Sequence, residues 1–180
     1  MPPSFRRVNI TNDHYQQEGI PIAITNKSRI RRLIVEQLAA DLEVFSVAAK
    51  TAHEASIHEE NIPDNKYDTL SLEASYVAQG QANRAQELKR ALHAYQSLTL
   101  QQFQPDALIR LSALVSLEAD DGESRTLFIG PKEGGLRVTT DDLEVVVITA
   151  GSPLGNDLLG KCLGDLVKIG KKDFEIVLVC

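Results

Sequence analysis

Four acidic side chains surround a proline near the middle of the chain, and their types and spacing could support chemistry. Glu59 and Glu60 precede Pro63, and Asp64 and Asp68 follow it. Carboxylates, together with waters and phosphates, are the ligands that Mg²⁺ uses in proteins. Acidic residues at an exposed turn also occur simply because they keep the turn solvated. The residues alone leave both interpretations open.

Two long helical patterns flank these acids. Apolar and small residues recur at steps of three or four from Ile30 to Ser56 and again from Leu70 to Tyr95, as on one face of an α-helix. Folding the chain at Pro63 brings the two stripes together. The pattern therefore predicts an antiparallel coiled-coil hairpin over residues 28–104, with its tip at about 58–68.

The predicted contact face of the hairpin becomes smaller toward the tip. Large side chains such as Leu38 and Leu88 lie near the base, and alanines and a glycine replace them farther out. Small residues allow two helices to approach closely, so we expect a slender distal part. A shape suited to a narrow opening and a merely exposed hairpin both account for this taper. The small residues are Ala48, Ala49, Ala52, Ala55, Ala74, Ala78 and Gly80.

The first helix is expected to begin near a polar stretch. Thr25, Asn26 and Ser28 are each suited to an N-cap. Residues 1–27 fit neither half of the chain and are predicted to form an N-terminal extension. Residues 20–24 could pack as a strand or bind a partner, whereas Pro2, Pro3 and the stretch rich in Asn and Gln indicate a tail.

The second half, residues 105–180, has the composition of a small twisted sheet. It holds most of the glycines and the short β-branched runs. Asp121–Gly122 is a hairpin-turn signal between expected strands at 112–118 and 123–130. Further strands are expected at 136–139, 143–149, 166–169 and 174–179. The predicted fold is α+β, a helical hairpin followed by a β-domain, with the boundary at about 103–107.

One short helix is predicted within the β-domain. Ser152 supplies an N-cap and Pro153 the first helical position, ahead of a helix over 154–159 that Gly160 ends.

Composition and charge exclude several classes of function. The formal net charge of −6 argues against a protein that coats nucleic acid. Cys162 and Cys180 cannot form a disulfide framework or a multi-cysteine zinc site. No apolar run is long enough to span a bilayer, and Arg6 and Arg7 have no apolar stretch behind them, so we do not expect a secretory signal. We expect a cytoplasmic protein without membrane contact. No constellation pairs a nucleophile with a base, so we do not expect an enzyme acting by itself.

The stretch Ser152–Pro153–Leu154–Gly155, followed by Leu158–Lys161 and Gly164–Asp165, resembles the C-terminal domain of Gre-type (GreA/GreB) transcript cleavage factors. The resemblance implies an FKBP-like domain that docks on bacterial RNA polymerase at the rim of its secondary channel. Ser152, Pro153, Leu154 and Gly155 would then contact the polymerase, and the hairpin would reach down the channel toward the active site.

The resemblance also implies a role for the tip acids in cleaving backtracked RNA at its 3′ end. Glu60 and Asp64 would serve as catalytic and metal-binding carboxylates, with Glu59 and Asp68 as alternates. The Mg²⁺ would be shared with RNA polymerase and not held by the free protein, which we expect to be a monomer. When Asp64–Asn65 is aligned with the Glu-Asn pair of the family's tip, Asn61 occupies the position of the family's other essential acid.

Two other functions stay open. A regulator of the same architecture would occupy the secondary channel without stimulating cleavage, as the displaced tip acids would allow. An FKBP-like chaperone or prolyl isomerase would need an aromatic pocket, for which the β-domain offers only Phe128 and Phe174.

Overall fold

Two long helices come first in the chain, and six strands and a short helix follow them. The computed structural model describes residues 22–58, 65–104, 106–140 and 143–180. The predicted α+β fold is confirmed. The elements are α1 (Ile22–His58), α2 (Asn65–Gln96), β1 (Leu114–Ala119), β2 (Ser124–Gly130), β3 (Arg137–Thr140), β4 (Leu143–Thr149), α3 (Pro153–Leu158), β5 (Leu166–Ile169) and β6 (Lys172–Val179).

Helix α1 begins earlier than the sequence predicts. Thr25, Asn26 and Ser28 lie inside the helix, so the prediction that one of them caps it was wrong. The cause is a tertiary contact, which overrides local preference. Lys27 is 1% exposed; its ammonium donates to the carbonyl of Gln101 and lies 4.7 Å from the centroid of the Phe103 ring.

The hairpin has a buried base and a shaft, which α1 forms from Glu43 onward and α2 forms before Arg84. At the base, Ile34 and Leu38 of α1 pack with Leu88 of α2, and all three are buried. Beyond Phe45 in α1 and before Arg84 in α2, no described residue belongs to an apolar cluster shared with the sheet. At ~1.5 Å per residue, the part of α1 beyond Phe45 extends for about 20 Å.

The six strands form a single mixed sheet in the order β3-β4-β2-β1-β6-β5. Strands β2 and β4 pair in parallel, and the other neighbours pair antiparallel. The predicted turn between β1 and β2 is confirmed, with Gly122 at φ 85°, a conformation that favours glycine. Strand β6, the last in sequence, lies between β1 and β5.

The base of the hairpin covers one face of this sheet. Phe128 of β2 and Val145 and Val147 of β4 are fully buried against side chains of both helices. The hairpin and the sheet thus share one apolar core. The boundary predicted at 103–107 between hairpin and β-domain lies in the linker that joins them. The buried members of this core are Ile30, Ile34, Leu38, Leu88, Ala91, Tyr95, Leu98, Leu114, Phe128, Val138, Val145 and Val147.

The opposite face of the sheet carries a second apolar cluster. Leu127 and Ile129 of β2 belong to it, together with Leu158 of α3 and Phe174 of β6. Successive side chains of a strand point to opposite faces, so β2 contributes to both cores. Within the described ranges, no helix has both the length and the apolar character needed to cross a bilayer.

Polar contacts fasten the hairpin to the loop between β2 and β3. The Arg84 guanidinium donates to both carboxylate oxygens of Glu133, at 3.2 and 2.7 Å. The Tyr95 hydroxyl donates to the carbonyl of Lys132 at 2.8 Å. Because bidentate Arg–carboxylate pairs are geometrically specific, these contacts fix the loop against α2.

Candidate functional site

The predicted tip acids fall largely outside the part of the chain that the structure describes. Glu59, Glu60 and Asp64 lie in the connection between α1 and α2, outside the described residues. Asp68 lies in the first turn of α2. Among the described residues, no group of three or more His, Cys, Asp or Glu side chains could hold a metal ion. The Mg²⁺ site therefore stays a prediction.

The shaft that leads to this connection exposes large apolar side chains. Val44 is 65% exposed and Val47 54% exposed on α1, and Tyr76 is 69% exposed on α2. The small residues Ala49 and Ala78 are half-buried, as expected for the contact face. Val44 and Val47 are three positions apart and so lie on the same side of α1, where a partner could bury both.

The second predicted site, Ser152–Gly155, begins helix α3. The Ser152 hydroxyl accepts from the backbone N–H of Gly155 at 3.0 Å and donates to the carbonyl of Thr149 at 2.8 Å. Pro153 occupies the first helical turn. The predicted N-cap and proline position are confirmed, and they join α3 directly to the end of β4.

Gly155 is required by a close approach of the backbone. A Cβ at this position would lie 2.0 Å from the carbonyl oxygen of Thr149, far inside van der Waals contact. Ser152 and Gly155 therefore position α3, while Pro153 is exposed and Leu154 half-buried. Of the four predicted partner-binding residues, Pro153 and Leu154 are the ones free to meet a partner.

Leu154 lines a groove of about 500 Å³ between α3 and the sheet. Its apolar lining includes Leu127 of β2 and Val146 and Ile148 of β4, and Leu143 at its edge is 42% exposed. An apolar floor with a polar rim is the usual form of a protein-binding groove. The structure thus brings the predicted motif together with a surface that could receive a partner.

Ion pairs form the rim of this groove. Arg137 pairs with Glu144 at 2.8 Å, and Arg125 pairs with Glu123 at 2.7 Å. Lys172 contacts Glu123 at 2.7 Å, and its hydrogen bond is the main cause that lowers the pKa of the Glu123 carboxyl. The rim therefore carries several ion pairs, which favours a partner with polar groups around an apolar centre.

Sequence reasoning missed the floor of this groove. Residues 145–148 form an uninterrupted apolar run, and such a run gives no alternation from which to assign faces. Val145 and Val147 pack under the hairpin, whereas Val146 and Ile148 face the groove. The apolar run could have predicted a groove or core on each face, because a strand that is apolar on both sides is usually covered on both sides.

A prolyl isomerase would need an aromatic pocket, for which Phe128 and Phe174 are the candidates. Phe128 is buried beneath the hairpin and Phe174 in the opposite core. Neither lines the groove beside α3.

Cys162 lies just beyond α3 and forms a local contact. Its Sγ is 3.5 Å from the carboxylate of Asp165, which also accepts from the Cys162 backbone N–H. The hydrogen bond to Asp165 raises the pKa of the thiol, so the side chain stays protonated at neutral pH and is a poor nucleophile.

No family model matches the sequence, and no curated protein matches it. Solved structures that match this chain include GreA factor homolog 1 (Gfh1) of Thermus thermophilus, at 19% identity over 83% of this chain and 94% of that one, with a TM-score of 0.35. A structure of the transcription factor Gfh1 has 22% identity over 83% and 92% of the two chains, with a TM-score of 0.34. Gfh1 of Thermus aquaticus has 19% identity over 80% and 92%, with a TM-score of 0.32.

Proposed function

We propose that this protein is a transcription factor that inserts its hairpin into the secondary channel of bacterial RNA polymerase and stimulates Mg²⁺-dependent cleavage of backtracked RNA. The observation that carries the proposal is the motif Ser152–Gly155 at the start of α3, beside an apolar groove. It is the part of the chain that most specifically resembles Gre-type factors, and it stands on a domain that also supports a projecting helical hairpin.

The groove beside α3 and the shaft of the hairpin would have different roles. The groove lined by Leu154 would hold the polymerase at the channel rim, with Pro153 exposed at its edge. The shaft would enter the channel, where Val44, Val47 and Tyr76 would lose contact with water. Burying an apolar side chain of this size contributes about 1.5–3 kcal/mol when the burial is complete, which would help hold the shaft in place.

Cleavage of the RNA would occur beyond the end of the shaft, at the hairpin tip. Glu60 and Asp64 would complete the ligand set of a Mg²⁺ shared with the polymerase, with Glu59 and Asp68 as alternates. A second metal ion activates water and stabilises the leaving oxygen in phosphodiester hydrolysis. The factor would supply carboxylates, and the polymerase and the RNA 3′ end would supply the remaining groups.

The alternative is a regulator that occupies the channel without stimulating cleavage. It is favoured by the register of the tip, where Asn61 occupies the position of one of the two expected acids. An amide oxygen is a weaker ligand for Mg²⁺ than a carboxylate, so binding would persist while cleavage would not.

The test is a cleavage assay on stalled, backtracked complexes of bacterial RNA polymerase with Mg²⁺. Wild type should release short 3′ RNA fragments, and Glu60→Gln/Asp64→Asn should lose this activity while still binding the polymerase. Glu43→Gln, which removes an exposed carboxylate from the shaft, is the matched control and should cleave normally. Leu143→Ser, at the groove edge, should weaken binding.

Each other outcome has a distinct meaning. Binding that competes with a known secondary-channel factor, without any fragments, would select the non-cleaving regulator. Absence of both fragments and competition would reject the polymerase as the partner.

A further inference from the structure

A second concavity lies on the other side of the β-domain, where α2 meets the sheet. It has a volume of about 530 Å³ and is lined by Arg90 of α2, by Lys132 and Gly134 after β2, and by Thr149 and Gly151 after β4. We call it the junction cleft. It is separate from the groove beside α3, with which it shares no lining residue.

The walls of the junction cleft are held in place by contacts already described. Arg84 donates two hydrogen bonds to Glu133, and the hydroxyl of buried Tyr95 donates one to the carbonyl of Lys132 at 2.8 Å. The loop that carries Lys132 is thus fixed at two successive residues. A site whose geometry is set in advance loses less freedom when a ligand binds.

Positive charge in the junction cleft is left without a counterion. The two carboxylates in its walls, Glu87 and Glu133, both contact Arg84, at 3.2 and 2.7 Å. The Arg90 and Lys132 side chains form no ion pair or hydrogen bond with any residue that the structure describes. The three cations Arg84, Arg90 and Lys132 against the two carboxylates Glu87 and Glu133 leave one excess positive charge at the cleft, which attracts an anion.

Neutral donors complete the lining. The backbone N–H groups of Gly134 and Gly151 donate to no group within the described part of the chain. A Cβ on Gly151 would meet nothing within 4 Å, so a ligand can approach the backbone closely there. The Thr149 hydroxyl lies beside Gly134, 3.3 Å from where a Cβ would stand.

The geometry points to a phosphate-binding site in the junction cleft, with Arg90 and Lys132 neutralising the charge and the Gly134 and Gly151 amides donating to the oxygens. Guanidinium groups match the geometry of phosphate oxygens, and free backbone amides form anion-binding concavities. The phosphate could belong to a free pyrophosphate or nucleotide, or to the backbone of a nucleic acid. The inference does not depend on the proposed function.

The test is a titration of the full chain with sodium pyrophosphate, followed through the backbone amide NMR signals of Gly134 and Gly151. Both signals should move and saturate for wild type. In Arg90→Gln/Lys132→Gln the affinity should fall at least tenfold. Lys89→Gln/Lys171→Gln removes the same charge from exposed positions outside the cleft and should bind as wild type does. All four side chains are exposed, so the variants should fold.

A parallel titration with a short single-stranded RNA distinguishes the two sources of phosphate. Tighter binding of pyrophosphate than of RNA would assign the cleft to a free phosphate ligand, and the reverse order would assign it to a nucleic-acid backbone. If the cleft variant and the control lose the same affinity, the binding depends only on the overall charge of the protein, and the proposed site is overturned. Failure of the Gly134 and Gly151 signals to saturate with either probe would overturn it as well.

Discussion

Replacing Gly155 by alanine tests whether the most specific sequence motif of the chain is structural, as the contact with β4 indicates. The Cβ that alanine adds would lie 2.0 Å from the carbonyl oxygen of Thr149 and 2.8 Å from its carbonyl carbon. Both atoms belong to the backbone at the end of β4. No rotation of a side chain can relieve such a clash, so α3 must move away from the strand.

The cost follows from what that movement breaks. Overpacking a well-packed site costs about 1–3 kcal/mol, and a rigid backbone obstacle places Gly155→Ala at about 3 kcal/mol. A displaced α3 also weakens the N-cap bonds of Ser152, since its hydroxyl bridges Thr149 and Gly155. For a domain of this size, a loss of about 3 kcal/mol lowers Tm by about 6–12 °C.

Chemical denaturation and a thermal melt measure this loss. Gly151→Ala is the matched control, because a Cβ there meets nothing within 4 Å and Gly151 is not among the residues with positive φ. It should be neutral or stabilising by about 0.4–1 kcal/mol, through reduced freedom of the unfolded chain. If Gly155→Ala is as stable as Gly151→Ala, α3 does not pack against Thr149 and the structural role assigned to the motif is refuted.

Three other substitutions examine the hairpin and its attachment. Gly80→Ala should raise the free energy of unfolding by about 0.5–1 kcal/mol, because Gly80 is exposed inside α2 with nothing within 4 Å of its Cβ position; a destabilised variant in urea denaturation would contradict this. A double-mutant cycle with Arg84→Gln and Glu133→Gln should give a coupling of about 0.5–1 kcal/mol that falls at high salt, and a coupling of zero would mean that the pair does not fasten the loop. Tyr95→Phe should cost about 1 kcal/mol at pH 8 by leaving the Lys132 carbonyl without its donor. Burial raises the pKa of Tyr95 above its ordinary value of 10.0, so the unfolded chain alone releases this proton just above pH 10. Wild type should therefore lose more stability than Tyr95→Phe between pH 8 and 11, and equal losses would show that the phenol is not buried.

Much of the β-domain could be predicted because its local signals agree with its tertiary environment. The strand 143–149 and the strand 166–169 are confirmed to the residue, since each is a short apolar run bounded by turn residues. Ser152 and Pro153 predicted the start of α3 for the same reason. Capping and turn chemistry act over a few residues and can be assigned from sequence.

The start of α1 and the attachment of the hairpin could not be predicted, because both depend on residues distant in sequence. Lys27 is held in the helix by Gln101 and Phe103, more than 70 positions later. Arg84 and Glu133 are 49 positions apart. Neither pair has any local signature. The predicted carboxylates Glu60 and Asp64 lie outside the described residues, and their role stays a prediction.

The position of β6 inside the sheet has a consequence for how the chain folds during synthesis. The two helices leave the ribosome before the strands, with Ile34 and Leu38 on a stripe that α2 and the sheet cover together. Strand β1 cannot pair on both sides until β6 has been made. The nascent chain therefore carries a partly uncovered apolar stripe until the strands that pack against it have been made. We expect the hairpin and the sheet to reach their final stability together, once β6 has been made, and not one after the other.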